Sequence, residues 1–231
     1  MIIHGLNKTT LLDYPGRLAA TIFLGNCNFR CVFCQNSSLI LNPSSQPVLA
    51  EEEVLSFLLK RKNILQGVCI TGGEPTLSAD LPQFIAKIKA IGLPVKLDTN
   101  GYLPDVIHNL IDDGLIDMVA MDIKNSLPGY AKICGLKDMD LSRIEASAAC
   151  LMQGKIPYEF RTTVVKDYFY EQTFEEIGYW LKGASSYYLQ SFRDSETVLS
   201  QGLKSPSKEE LTQYRNILLK YMNSVSLRGV D

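Results

Sequence analysis

The chain has 231 residues, of which 46% are hydrophobic and 21% are charged, and its formal net charge is −2. This composition suits a globular chain with a sizeable core and excludes a disordered or fibrous one. The near-neutral charge gives no electrostatic basis for binding nucleic acid, and no apolar run approaches the roughly 20 residues of a membrane-spanning helix. The polar N-terminal segment lacks the apolar core of an export signal, so we expect a cytoplasmic protein.

Short apolar runs alternate along the chain with amphipathic helical patterns. The predicted strands, in chain order, are residues 19–24, 68–71, 95–98, 118–122, 158–165 and 187–190. Helical patterns follow them over residues 51–63 and 81–91, from 104 towards 114, from 141 towards 154, around 174–181, and from 207 onward. Gly92, Gly114, Gly154 and Gly183 are well placed to end four of these helices. The last helix opens at Ser207, with Glu210 three residues later, which is typical of a capping box.

Six consecutive strand-then-helix units predict a parallel sheet with right-handed crossovers. Such a sheet can be open and doubly wound, or it can curl into a barrel. Because six units are two short of a full eight-stranded barrel, we expect an α/β fold in the form of a partial (β/α)6 TIM-like barrel with an open side. The length predicts a single domain over 1–231, with a core at about 19–191 and a C-terminal helix at about 207–223.

The unusual residues follow the predicted strands at the point where each strand ends. In chain order they are the cysteine loop at 27–34, Gly72-Gly73-Glu74-Pro75, Asp98, Asp122 with Lys124, Arg161, and Gln190. The carboxyl ends of parallel strands meet at one edge, and parallel α/β proteins build their active sites there. The sequence therefore predicts one composite site at this edge.

The loop after the first strand carries Cys27, Cys31 and Cys34 with the spacing C-x3-C-x2-C. Three thiolates can bind three irons of a [4Fe–4S] cluster and leave the fourth iron open to an exogenous ligand. The alternative is a closed zinc or cluster site, completed by one of three residues elsewhere in the chain: Cys69, His4 or His108. If no closed site forms, the other three cysteines, Cys69, Cys134 and Cys150, are interpreted as buried core thiols, because they lie far apart and share no C-x2-C spacing.

The other residues at this edge also allow two interpretations. Gly72 and Gly73 permit close approach of backbone groups to an amino-acid-like ligand, although an ordinary tight turn would also use them. Asp98 and Asp122 could accept hydrogen bonds from ribose hydroxyls, bind a cation, or act as an acid–base pair, with Lys124 offsetting their charge. The alternative is a structural ion pair at the barrel rim.

The cysteine spacing with Phe33 before the last cysteine, followed by the GGEP run after the next strand, resembles the radical S-adenosylmethionine (SAM) enzymes. DTNG at 98–101 and MDIKN at 121–125 are similar to the small activases of glycyl-radical enzymes. LDYPGR at 12–17 and LQSFR at 189–193 look most like anaerobic ribonucleoside-triphosphate reductase activating proteins. The residues alone assign no role to Asp13 and Tyr14.

The resemblance implies that the three cysteines bind a [4Fe–4S] cluster whose fourth iron holds the amine and carboxylate of SAM. It places Phe33, by its backbone, against the adenine, and a monovalent cation between the two aspartates. The implied SAM contacts are Gly72, Gly73, Glu74, Pro75, Asp98, Asp122, Lys124, Arg161 and Gln190. The chain departs from many relatives at Gln35 and from many activases at Gln190, because both places commonly hold histidine.

The implied activity is reductive cleavage of SAM to a 5′-deoxyadenosyl radical, which takes a hydrogen atom from a glycine of a partner enzyme. Anaerobic ribonucleoside-triphosphate reductase is the first expected partner, with flavodoxin or ferredoxin as electron donor and one cluster only. A pyruvate formate-lyase-type activase and a small-molecule radical SAM enzyme, such as a deazapurine synthase, are the alternatives. A non-enzymatic iron–sulfur or zinc-binding module is the third hypothesis.

Overall fold

Eight strands form a single sheet in chain order in the computed structural model, which describes residues 1–230. The strands are β1 (Ile3–Thr10), β2 (Ala19–Leu24), β3 (Gly67–Gly72), β4 (Val95–Thr99), β5 (Met118–Asp122), β6 (Tyr158–Val164), β7 (Tyr187–Ser191) and β8 (Val225–Arg228). β1 runs antiparallel to β2, and every other neighbouring pair is parallel.

Eight α-helices connect these strands. They are α1 (Ser37–Leu41), α2 (Glu51–Arg61), α3 (Leu81–Ile91), α4 (Pro104–Asp112), α5 (Leu127–Ile133), α6 (Leu141–Met152), α7 (Glu171–Trp180) and α8 (Lys208–Leu218). Short 3-10 turns occupy Pro43–Ser45 and Pro75–Leu77. Within residues 1–230, no helix has both the length and the apolar character that crossing a membrane requires.

The predicted partial barrel is confirmed. The six predicted strands are β2 to β7, and each agrees with the structure to within one residue at either end. The helix signals also hold: Gly92 ends α3 in the left-handed conformation, and Ser207 and Glu210 form both hydrogen bonds of the capping box. In the described residues β1 and β8 are the two ends of the sheet, so the barrel is open between them.

The sequence did not predict β1, β8, α1 or α5. β1 is an edge strand whose Asn7-Lys8-Thr9 segment is exposed, so it lacks the buried apolar run that marks the central strands. β8 has only four residues, and α1 only five. α5 contains Pro128 and Gly129, which have poor helix propensity.

The barrel interior is charged, whereas the outer faces of its strands are apolar. Along β4, the apolar Val95 and Leu97 are fully buried and alternate with Lys96 and Asp98. Asp98 forms an ion pair with Arg161 of β6, two strands away, so this second set of side chains points into the barrel. The helices therefore cover the apolar outer face of the sheet, and the charged side chains lie inside the barrel, near the carboxyl ends of its strands.

Residues 11–18 close the amino-terminal end of the barrel. The hydroxyl of Thr21 on β2 donates a hydrogen bond to the carboxylate of Asp13. Tyr14 is buried beneath β3, where a Cβ atom at Gly67 would lie 2.8 Å from its ring. The Arg17 guanidinium covers the Tyr14 ring at 5.1 Å from its centroid. Asp13 and Tyr14 therefore hold this end of the barrel together.

Candidate active site at the carboxyl end of the barrel

The cysteine loop leaves β2 through Asn26, whose φ of 63° lies in the left-handed region that asparagine tolerates. The Asn26 amide donates to the carbonyl of Leu39 in α1. On the far side of the loop, the amides of Arg30 and Val32 donate to the carbonyls of Cys134 and Ile133 at the end of α5. The loop is thus tied to two helices that the sequence did not predict.

A cleft lies between this loop and the carboxyl ends of β3 to β6. The residues that line it are Cys27, Phe29, Cys31, Phe33, Cys34, Gln35, Asn36, Ile40, Thr71, Gly72, Gly73, Asp98, Thr99, Asn100, Asp122, Lys124 and Thr163. The structure therefore brings together all three loop cysteines, Phe33, the two glycines, both aspartates and Lys124.

Burial and contacts set the acidity of the three thiols. Burial raises the pKa of Cys27 to about 12 and also raises the pKa of Cys34. Contact with the Cys134 thiol lowers the pKa of Cys31. Cluster binding requires thiolates, so it must release protons from these buried groups.

The donor set fits a cluster held by three sulfurs. The Phe29 amide lies 3.4 Å from the Cys27 sulfur, and Asn100 Nδ2 lies 3.9 Å from it. Asn100 Nδ2 also donates to Asn28 Oδ1 at 2.8 Å, while the buried Asn28 Nδ2 has no partner within residues 1–230. Donors close to the ligand sulfurs are the groups that tune iron–sulfur clusters.

The three residues considered for a closed site lie elsewhere. Cys69 is fully buried on β3, two residues before Thr71, the first residue of that strand to line the cleft. The His4 ring is hydrogen-bonded to the Pro47 carbonyl oxygen, and His108 pairs with Asp112 on α4. Among residues 1–230, no three His, Cys, Asp or Glu side chains converge as they would around a single metal ion.

Glycine is required at Gly72, the last residue of β3, and at Gly73 because both pack closely against β2 and the cysteine loop. A Cβ atom at Gly72 would overlap the Leu24 backbone, and one at Gly73 would overlap the Asn26 carbonyl. The amides of Gly73 and Glu74 donate to the Leu24 and Asn26 carbonyls, both at 2.8 Å. The turn therefore fixes β3 to the cysteine loop, and the amides of Gly73 and Glu74 already have hydrogen-bond acceptors within the protein.

The Glu74 side chain is buried and is not among the residues that line the cleft. Its carboxylate accepts hydrogen bonds from the amide and hydroxyl of Thr76, the Thr99 hydroxyl and the Asn100 amide, at 2.5–3.1 Å. Burial raises the pKa of Glu74, against the lowering effect of these bonds. The side chain thus joins the end of β3 to the end of β4 and supports the wall of the cleft.

The carboxylates of Asp98 and Asp122 are bridged by Arg161. Arg161 Nη1 lies 3.0 Å from Asp98, and Arg161 Nε lies 2.9 Å from Asp122. Lys124 adds a contact of 3.1 Å to Asp122. Burial opposes ionisation of both carboxyls, but the neighbouring cations outweigh it: the pKa of Asp98 is lowered, and that of Asp122 falls to about 2. Both are therefore charged acceptors at neutral pH.

Four predicted site residues are not among those that line the cleft in residues 1–230: Glu74, Pro75, Arg161 and Gln190. Pro75 starts the buried 3-10 turn, and Arg161 lies behind the two aspartates. Gln190 is partly buried on β7, in register with Thr163 and with Arg228 of β8.

Sequence reasoning missed the polar residues that position the cysteine loop. Asn36 Nδ2 donates to the Gly72 carbonyl at 3.1 Å, and Asn100 holds Asn28 as described above. Asn100 lies inside the DTNG run that the sequence singled out, so its place in a motif was the available signal. Asn28 and Asn36 carried no comparable signal.

The segment 193–200, after β7, covers the cysteine loop. The amides of Leu199 and Ser200 donate to the carbonyls of Cys34 and Val32. Gln35 Nε2 donates to the Arg193 carbonyl at 2.8 Å. Gln35 therefore ties this covering segment to the cysteine loop.

Comparison with known proteins places these features in context. The family model of the radical SAM superfamily matches residues 21–181. A protein of Methanocaldococcus jannaschii, provisionally named a glycyl-radical enzyme activating enzyme, is 31% identical over 240 residues, which cover 100% of this chain and 97% of that protein.

Two solved structures share the fold at lower identity. A domain of a pyruvate-formate lyase-activating enzyme from Bacteroides vulgatus superposes with a TM-score of 0.55 at 17% identity, covering 71% of this chain and 99% of that one. Streptococcus suis SuiB bound to S-adenosylmethionine superposes with a TM-score of 0.68 at 13% identity, covering 90% of this chain and 52% of that one.

Proposed function

The chain belongs to the radical SAM superfamily, and from that premise we propose that it activates a glycyl-radical enzyme, most specifically an anaerobic ribonucleoside-triphosphate reductase. The observation that carries the proposal is the single cleft with three cysteine sulfurs on one wall and two charged carboxylates with Lys124 on the other. A cluster and SAM bound side by side need these two walls. The cysteine trio leaves one iron for SAM.

Cys27, Cys31 and Cys34 would hold the [4Fe–4S] cluster. When bound and reduced, the cluster supplies the electron that cleaves the sulfonium of SAM and yields the 5′-deoxyadenosyl radical. The protein's own task is to bind and orient SAM in the cleft.

Asp98 and Asp122 would accept hydrogen bonds from the ribose hydroxyls, because both carboxylates are ionised at neutral pH and each retains lone pairs beside its cationic partners. The Lys124 ammonium lies 5.8 Å from the centroid of the Phe33 ring, so it faces the cysteine loop across the cleft. There it would attract the carboxylate of SAM. The Gly72–Gly73 turn would allow the amino-acid end of SAM to approach the backbone.

A protein substrate suits the open side of the barrel between β1 and β8. A glycine in a peptide loop could enter there without unfolding the barrel. The similarity to a glycyl-radical enzyme activating enzyme over the whole chain supports this class of substrate. The LDYPGR and LQSFR segments support the reductase as partner, and flavodoxin or ferredoxin would supply the electron.

Anaerobic incubation of the cluster-loaded protein with SAM, reduced flavodoxin and the reductase tests this function. We expect a glycyl-radical doublet in the electron paramagnetic resonance (EPR) spectrum. A reductase in which the target glycine is replaced by alanine, and a Cys34→Ala variant of this chain, are the matched controls and should give no doublet.

SAM cleavage that requires a small molecule and no partner protein would overturn the proposal in favour of a small-molecule enzyme. A doublet on pyruvate formate-lyase but not on the reductase would correct the partner while retaining the reaction.

A further inference from the structure

Three charged side chains lie in the barrel interior behind the cleft, outside the set proposed to touch SAM. Lys96 of β4 is 0% exposed and Glu159 of β6 is 1% exposed. Arg228 belongs to β8, the edge strand beside the open side, and its side chain is 28% exposed. Buried charges are costly unless they are paired, so this group needs a structural or functional explanation.

The three residues form a chain of ion pairs that ends at Asp98. Both oxygens of Glu159 bind the Arg228 guanidinium, at 3.0 and 2.9 Å. Lys96 Nζ lies 2.5 Å from Asp98 Oδ1 but 3.9 Å from Glu159 Oε1. The Lys96 ammonium therefore lies between two carboxylates and is bonded closely to only one of them.

The contact between Arg228 and Glu159 explains why Lys96 bonds to Asp98 and not to Glu159. A bidentate guanidinium satisfies the Glu159 carboxylate, so that Glu159 exerts little competing pull on the ammonium. The guanidinium itself is held in place, because it stacks on the Tyr188 ring at 3.5 Å from the ring centroid. With Lys96 on one oxygen and Arg161 on the other, the Asp98 carboxylate has a fixed orientation in the cleft wall.

We propose that Arg228 and Glu159 are positioning residues for SAM, which act by keeping Lys96 bonded to Asp98. This inference rests on the proposed function, since it assumes that Asp98 accepts a hydrogen bond from SAM. Loss of Arg228 leaves a buried, unpaired Glu159 that draws Lys96 away from Asp98. The carboxylate is then free to rotate about its bond to Cβ, and the cleft loses a pre-oriented acceptor.

The test measures SAM affinity by anaerobic equilibrium dialysis with cluster-loaded protein in the absence of reductant, where SAM is not cleaved. We expect Arg228→Gln to weaken binding about five- to tenfold, a typical coupling between charges in one network. Adding Glu159→Gln to that variant removes the competing carboxylate and should restore most of the lost affinity. Lys220→Gln, which breaks an exposed ion pair with Glu175, is the matched control.

The rescue separates positioning from simple anchoring of the edge strand. If Arg228 only fastened β8 to the barrel, the double variant would bind SAM as weakly as Arg228→Gln or more weakly, and the proposal would be wrong. Equal affinity of Arg228→Gln and wild type would also overturn it. Failure of the wild-type protein to bind SAM would instead refute the proposed function, so the two failures are distinguishable.

Discussion

Replacement of Glu74 tests whether the acidic residue of the GGEP run supports the cleft wall or contacts a ligand. In the structure its carboxylate is buried and joins the turn after β3 to the loop after β4. Glu74→Ala leaves four groups without their acceptor: the amides of Thr76 and Asn100 and the hydroxyls of Thr76 and Thr99. A buried unsatisfied donor costs about 1–3 kcal/mol, and hydroxyls can turn to other acceptors, so we expect a loss of about 3–5 kcal/mol in the free energy of unfolding.

Glu74→Gln keeps one acceptor oxygen but turns an amide NH2 group towards a donor, and we expect it to cost about 2 kcal/mol. The pH dependence has a defined sign. Burial raises the pKa of Glu74 above its ordinary value of 4.5, so its contribution to stability is complete below that pH and is lost as pH rises through the shifted pKa. The advantage of wild type over Glu74→Gln should therefore shrink from pH 4 to pH 7.

Urea unfolding of the cluster-free chain under reducing conditions, followed by circular dichroism, measures these differences. Glu53→Ala, on the exposed face of α2, is the matched control and should change stability by less than about 0.5 kcal/mol. If Glu74→Ala unfolds at the same urea concentration as wild type and loses only SAM affinity, the carboxylate binds the ligand and the structural assignment is wrong.

Three further predictions follow from the cleft. Alanine at any one of Cys27, Cys31 or Cys34 should leave little cluster iron after anaerobic purification, whereas Cys150→Ala should retain it; iron bound equally by all four variants would contradict the ligand assignment. Replacing K⁺ with tetramethylammonium at constant ionic strength should change the SAM affinity of the wild type less than twofold, because the Arg161 guanidinium already bridges Asp98 and Asp122. The Arg161→Gln variant, in contrast, should require K⁺ for SAM binding. A tenfold loss of affinity for the wild type would mean that a monovalent cation is needed between the two aspartates. Gln35→Ala should speed amide hydrogen exchange over residues 193–200 several-fold, because it removes a hydrogen bond that stabilises this segment by about 1 kcal/mol. Unchanged exchange would show that the hydrogen bonds of the Leu199 and Ser200 amides are enough to hold the segment on the cysteine loop.

The central strands and the position of the site were predictable because both follow from local patterns. Buried parallel strands are short apolar runs, and β2 at Ala19–Leu24 is fully apolar apart from Thr21. Polar residues that follow such runs must meet at one edge, which places Cys27, Asp98 and Asp122 together without any knowledge of their contacts.

The direction in which each side chain points was not predictable, because it depends on contacts between distant residues. Glu74 sits in the same motif as Gly72, yet the donors of Thr99 and Asn100 turn it inward. Arg161 was expected at the same edge of the sheet and in contact with SAM, but its position between the two aspartates depends on how strands β4, β5 and β6 are arranged. Gln35 finds its partner at Arg193, 158 residues away, and no spacing in the sequence encodes that contact.

The most direct test of the account is whether SAM binds an iron that the protein leaves open. Electron–nuclear double resonance of the reduced, cluster-loaded protein, frozen with SAM carrying 15N in its amine and 17O in its carboxylate, detects such binding. We predict hyperfine coupling from both labels. No coupling from either label, together with a fourth protein ligand on the cluster, would contradict the account.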